Sequence, residues 1–463
     1  MRRILIYLLF VLLGAVPASA DSSTVLVFPF ENVTNDRTLD WIGEGISELI
    51  IERLHPEPGV SIFSREERVG AFEKLGIPES TTVSRATALK LGWDMGADHV
   101  VTGKFSGTAE SFQIVARIVD FEAGGAEEVA VEGRLEDVMP LSMSVAWQIL
   151  RKVVSGTASP ESDYTARAPV PRSAFENYIR GILSQDLRKR TELLQTAVRL
   201  HPQYGPALFE LGRTYHLERD FKNSNQWLQK IPETSYLHNH AAFLIGLNYF
   251  YVADYNRAIT VFQSLPATYD VLINLGAAFS QKGDAVSAAN TWRRAADMDS
   301  LASDAFFNLG YLSIVKGDFD GAAHNLTESL KLRGRDSEAL FLLGRTYEKQ
   351  GRLEDSQKAI TQASRLSQRV DRWLTQPLPK LERLAVSTTF RSRDEIWTQQ
   401  RLVRRARGQD VPAWLELIQT DIDSYLLGDA LRELDDLLRV FPDSVEALSL
   451  LDEVRGQQNH QLR

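Results

Sequence analysis

The chain has 463 residues, 44% hydrophobic and 24% charged, with 52 basic groups against 61 acidic ones and no cysteine. That length suits two or three domains, and the acidic balance disfavours nucleic acid as a general partner, because phosphate binding needs a positive field. The missing cysteine excludes disulfides, thiolate metal sites, cysteine nucleophiles and acylation of a lipoprotein cysteine.

Residues 1–20 read as a cleavable export signal outside the fold. Arg2 and Arg3 form a basic start, residues 4–16 an apolar core, and Ala18-Ser19-Ala20 a small-residue cleavage site. The apolar run falls short of a bilayer span, which disfavours an uncleaved anchor. An export signal on a cysteine-free chain points to a bacterial envelope, with the periplasm the expected compartment. Loss of Arg2 and Arg3 takes the mature charge to about −11, which suits a soluble protein.

Residues 21–154 alternate short apolar runs with helical spacings. Residues 24–30 (TVLVFPF) read as a buried strand, residues 39–54 as a helix stopped by Pro56 and Pro58, and residues 60–63 as a second strand. Residues 86–95 suggest a helix and 98–105 a strand. Residues 112–121 and 127–135 alternate and should pair antiparallel, and a helix over about 137–154 closes the unit. The expected fold class is an α/β domain, a mixed sheet with helices.

No stretch of the chain carries recognisable chemistry. Gly43-Glu44-Gly45 lacks the third glycine of a dinucleotide loop, and Gly103-Lys104 lies inside a predicted strand and is followed by Phe105. Glu31, Asn32, Asn35, Asp36 and Asp40 supply oxygen ligands that could hold calcium, but capping of the next helix by Asp36 or Thr38 is the better use. His238 and His240, two apart, point to opposite sides of a helix rather than to one metal. No cofactor, metal site or enzymatic activity is expected.

Four landmarks of this domain resemble the amino-terminal domain of TolB. They are Val27-Phe28-Pro29-Phe30-Glu31-Asn32, Gly45-Ile46-Ser47-Glu48, Ser64-Arg65 and Gly96-Ala97-Asp98-His99-Val100-Val101-Thr102-Gly103, across about residues 24–135. The resemblance implies an envelope protein-interaction domain without chemistry of its own. Residues 155–172, rich in Ser, Ala and Pro without a period, read as an exposed linker.

Beyond the linker the chain repeats itself. Gly181, Gly212, Gly246, Gly276, Gly310 and Gly344 stand 31, 34, 30, 34 and 34 residues apart. A second glycine follows seven later in three copies (Gly283, Gly317, Gly351), suited to a left-handed helix end. Arg219 and Ala253 occupy that position in two other copies, where a strained or altered turn is expected. Small residues twelve after the anchor (Ser224, Ala258, Ala288, Ala322, Ser356) let paired helices approach. Large ones four later (Leu228, Phe262, Trp292, Leu326, Ile360) fill the seam. The spacings of 31 and 30 imply shortened helices or turns, with Pro232 and Pro266 arriving early.

This pattern resembles the tetratricopeptide repeat, W-x2-L-G-x2-Y…A-x3-F…P, over roughly residues 172–368 and again over 412–452. The resemblance implies an all-α solenoid whose first helices line a concave groove left free for a partner. Positions three before, one after and four after the anchor glycine are expected to face it. They give the candidate groove residues Phe209, Arg213, His216, Phe243, Leu247, Phe250, Phe307, Tyr311, Ile314, Phe341 and Arg345. The phenylalanines have a second reading, packing between neighbouring hairpins.

The period lapses over 369–411, where Arg401, Arg404, Arg405 and Arg407 form a basic patch for anionic lipid, an acidic partner or internal pairing. Trp373 and Trp397 argue that this segment is folded. A last repeat and cap follow at 412–456. The expected function is a non-enzymatic adaptor binding a peptide or helix of an envelope protein, with peripheral membrane contact at most. The other reading is an oligomeric structural subunit of an envelope assembly, secretion or motility machine.

Overall fold

The computed structural model describes residues 23–375 except 35, 58, 75, 78–82, 122–124, 155–159, 166–169 and 299–302, then 386–387, 415, 418, 419, 422, 427–441 and 444–461. The export signal, Trp397 and the patch Arg401, Arg404, Arg405 and Arg407 lie outside the described residues. The chain divides into two compact units, Met1–Arg172 and Ser173–Arg463.

The first unit is a mixed sheet covered by helices. Strand β1 (Ser23–Val27) lies between β3 (Val60–Ile62) and β4 (His99–Gly107), parallel to both. Strands β5 (Phe112–Asp120) and β6 (Gly125–Gly133) follow antiparallel, and the short β2 (Glu31–Asn32) runs beside β4. Val25, Leu26 and Val27 are buried, as a strand covered on both faces requires. β1 ends before Pro29, which cannot donate to the ladder. Helices α1 (Trp41–Leu54) and α4 (Val138–Val153) pack on each other and on the sheet. In α1, Gly43 lets the chain cross closely: the Phe30 N–H donates to its carbonyl at 3.0 Å, and a Cβ there would stand 2.1 Å from the Phe30 oxygen. The near miss to a nucleotide loop is therefore a packing contact inside a helix. Asp36 caps the turn Arg37–Leu39 by accepting from the Thr38 N–H at 2.8 Å.

Helix α2 (Arg65–Lys74) has no counterpart in the sequence reading. Its buried face is Arg65, Arg68 and Phe72, so no apolar period announces it. Arg65 donates to Glu44 at 3.1 Å, and Arg68 donates to Glu44, to the Val27 carbonyl at 2.7 Å and to Ser47 at 2.9 Å. These bonds tie α2 to α1 and to the end of β1. Helix α3 (Arg85–Asp94) packs on β4. The expected linker also needs correcting, because it holds a short helix, α5 (Glu161–Thr165), packed on α4 with the Ser144 hydroxyl donating to Glu161.

Burial and the neighbouring Glu44 charge push the Glu48 carboxyl up to about 8, against the pull of Arg65 and Arg68. The residue is half-buried, with one carboxylate oxygen sealed from water. Because its folded pKa exceeds the unfolded value, the folded state holds a proton that the unfolded chain has released between about pH 4.5 and 8. Stability therefore falls as pH rises through that window, by at most about 1.4 kcal/mol per pH unit. Urea unfolding of the full chain at pH 5.5 and pH 8 should show Glu48→Gln flattening this loss. An unchanged pH slope in the variant would contradict the assignment.

The second unit is a row of helical hairpins: α6 (Arg172–Leu183) with α7 (Leu187–Leu200), α8 (Gly205–Leu217) with α9 (Phe221–Leu228), and α10 (His238–Tyr251) with α11 (Tyr255–Ser264). Then come α12 (Tyr269–Lys282) with α13 (Ala285–Met298), α14 (Ser303–Lys316) with α15 (Phe319–Leu332), and α16 (Ser337–Lys349) with α17 (Leu353–Leu366). Each anchor glycine sits inside a first helix facing the large residue of its second helix. A Cβ would come 2.5 Å from Leu228 at Gly212 and 2.5 Å from Phe262 at Gly246. It would come 2.4 Å from Trp292 at Gly276, and 2.7 Å from Leu326 at Gly310 and from Ile360 at Gly344. The 31-residue spacing arises because α6 stops three residues sooner after its glycine than α8 does, and the 30-residue spacing accompanies the short α11.

The hairpin turns are left-handed at Gly283 (φ 90°), Gly317 (φ 75°) and Gly351 (φ 78°), and equally at Arg219 (φ 62°) and Ala253 (φ 60°). Asp220, Asp254, Asp284 and Asp318 then cap the second helices by accepting a backbone N–H three residues on. After α17, helix α18 (Arg369–Leu374) sets Trp373 against Phe341, ring centres 5.6 Å apart, which folds this part of the 369–411 stretch. A last pair, α19 (Leu427–Val440) and α20 (Val445–Gln461), shares its own buried cluster and packs against α15.

A left-handed L-residue costs about 1–2 kcal/mol. Arg219→Gly and Ala253→Gly should therefore each raise the stability of the repeats by about 0.5–1 kcal/mol, after allowing for the extra unfolded-chain freedom of glycine. Urea unfolding followed by helical circular dichroism measures this; a loss of stability in both variants would refute the strain.

Candidate protein-interaction site

The first helices α8, α10, α12, α14 and α16 pack side by side and build one continuous wall. The candidate groove residues divide into two sets on it. Phe243, Leu247, Phe307, Ile314 and Phe341 are at most 6% exposed, so burial in the core of the repeats is the correction to their expected place on an open surface. Phe243 meets Phe262 of its own hairpin, ring centres 6.0 Å apart, and Phe307, Ile314 and Phe341 share one cluster with Leu326 and Leu330. Packing within each hairpin and against its neighbour makes these apolar side chains core.

Phe209, Arg213, His216, Phe250, Tyr311 and Arg345 are half-buried. Arg213 donates to Glu210 at 2.8 and 3.0 Å, and Arg345 pairs with Glu348 at 3.0 Å. Phe209 meets the His240 ring edge-on at 6.3 Å. His216 shares a 2.6 Å hydrogen bond with Asn248, which donates to Ser224 and Asn225, so the histidine serves a buried polar link between repeats. Burial raises the Tyr311 hydroxyl above its ordinary pKa.

The polar positions of the wall lie elsewhere, two and six residues before the glycine. Asn274 and Asn308 hold the same register one repeat apart, and both are buried with Asp270. Asn274 makes a two-way contact with a backbone: its Nδ2 donates to the Ser387 carbonyl at 2.9 Å, and the Ser387 N–H donates to its Oδ1 at 2.9 Å. The Ser387 hydroxyl donates to Asp270 Oδ1 at 2.5 Å. Val386 packs on the apolar cluster of α12, α13 and α14. The inner surface is therefore not wholly free: at α12 a distant segment of the same chain occupies it. The sequence carried one signal for these residues, asparagine inside an apolar helix at the same offset in two copies.

No group of three potential metal-ligating side chains assembles among the described residues. No helix among them is long and apolar enough to cross a membrane. The tetratricopeptide repeat family model matches residues 273–323 and 314–364, so α12 to α17 are such repeats, the kind of fold that serves as a protein-interaction scaffold. No curated protein matches the chain in sequence. Among solved structures the chain is similar to MamA, at 18% identity and a TM-score of 0.32 over 37% of this chain and 96% of that one. It is similar to YrrB, described as a TPR protein with an unusual peptide-binding site, at 15% identity and 0.32 over 38% and 94%. It is also similar to PilW, described as a type IV pilus biogenesis factor, at 16% identity and 0.37 over 44% and 96%.

Proposed function

We propose that the chain is a non-enzymatic scaffold of the bacterial cell envelope whose first-helix wall holds an extended peptide of a protein partner. What supports the reading most is the wall itself: a repeat surface with half-exposed Phe250, Tyr311, Arg213 and Arg345 beside asparagines buried at one register. Aromatic and arginine side chains of this kind anchor protein interfaces, and paired backbone hydrogen bonds recognise extended chains. The amino-terminal unit, read as a TolB-like domain, docks a second envelope component in this proposal. Export to the periplasm rests on Arg2-Arg3, the apolar run and Ala18-Ser19-Ala20.

The test is crosslinking capture from envelope extracts with the wild-type chain and with Phe250→Ala/Tyr311→Ala. The expected result is capture of a defined envelope protein by the wild type and its loss in the double variant, with the helical melting curve still cooperative. Capture that is unchanged in a folded double variant would remove the wall as the binding surface.

A further inference from the structure

We propose that Asp270 and Asn274 form a peptide clamp on α12 and that the chain's own Val386–Ser387 segment is its resident ligand, which a partner peptide must displace. The inference rests on the partner-binding reading of the wall and names the subsite and its competitor. Three hydrogen bonds converge on one residue: the Ser387 N–H and carbonyl both meet the Asn274 amide at 2.9 Å, and the hydroxyl meets Asp270 at 2.5 Å. An amide side chain that accepts from an N–H and donates to the C=O of the same residue reads main chain, not side chain, and needs that residue extended. Asp270 adds a requirement for a hydroxyl, and the apolar cluster of α12 to α14 takes the small branched side chain before it. The subsite therefore suits an extended segment with a small branched residue followed by serine or threonine.

The occupant comes from far along the chain, 113 residues from Asn274. Helix α18 ends two repeats beyond α12, packed on α16 and α17, so the chain has turned back along the wall by Val386. Only residues 376–385 separate α18's flanking Thr375 from Val386. Because the segment belongs to the same chain as the site, its competition with a free peptide is intramolecular and independent of protein concentration. Asp270 and Asn274 are buried, and burying a carboxylate and an amide costs free energy unless their hydrogen bonds are satisfied. A site filled by a tethered copy of its own ligand is a self-blocking site.

The experiment uses the full chain and a fluorescein-labelled peptide of residues 382–391 (ERLAVSTTFR), with anisotropy as the readout. Ser387→Pro removes the N–H and the hydroxyl of the resident segment from a position outside any helix. The variant chain should bind the peptide at least about tenfold more tightly than the wild type, because the tethered competitor is gone. A peptide carrying the same serine-to-proline change should not bind the variant, and this control cannot disturb the protein's fold. Asn274→Asp in the Ser387→Pro chain, with its helical melt confirmed, should abolish binding of the unmodified peptide. Equal affinity in wild type and Ser387→Pro, no binding to either, or binding that survives the changed peptide would overturn the clamp. Each of those results leaves capture of an envelope protein to its own test, because the probe is the chain's own sequence.

Discussion

Close approach of two helices at a glycine is the constraint on which the repeat unit depends. At each of five hairpins a side chain sixteen residues on fills the space a Cβ would take, from Leu228 against Gly212 to Ile360 against Gly344. Leu228, Phe262, Trp292 and Leu326 are buried in those seams. Trp292 also donates its indole N–H to the Ile273 carbonyl at 3.1 Å, so even the largest filler leaves no unpaired donor. Because the seams set the spacing of the two helices in each hairpin, they fix which side of the first helix is turned into the core. Phe307 and Phe341 are consumed in that way. The polar positions at Asn274 and Asn308 recur on the same helices at one register.

Much of this arrangement was legible in the sequence, and the reasons are physical. A period fixed by stacked hairpins writes the glycine, the small residue and the large residue at constant offsets. A left-handed turn announces itself where glycine returns seven residues on. Of the two outcomes expected at Arg219 and Ala253, a strained or an altered turn, the backbone keeps the left-handed turn with a non-glycine residue. The face of the wall was less legible, because aromatic residues at helical spacing serve a core and an interface equally well. Asn274 was not read from the sequence, and its contact with Ser387 joins residues 113 apart that no local pattern relates.

The amino-terminal unit shows the same limit. Its strands were readable from apolar runs and alternation, and β4, β5 and β6 pair as that alternation requires. Helix α2 was not, since two of the three side chains it buries are arginines, paired with Glu44 and, for Arg68, also bonded to a backbone carbonyl at the end of β1. Periodicity finds elements held by apolar burial and misses those held by buried charge. The helix α5 in the supposed linker escapes for a related reason: five residues are too few to show a period.

A double-mutant cycle on Gly310 and Leu326 tests the packing account most directly. Gly310→Ala alone should destabilise the repeats, because its Cβ would stand 2.7 Å from Leu326, and Leu326→Ala alone should cost about 2–5 kcal/mol. In the Leu326→Ala background the account predicts that Gly310→Ala costs clearly less than it does in the wild type, since the side-chain clash is gone and only the residue 326 backbone nitrogen, 3.2 Å away, still presses on the added Cβ. Additive losses across the cycle would contradict it.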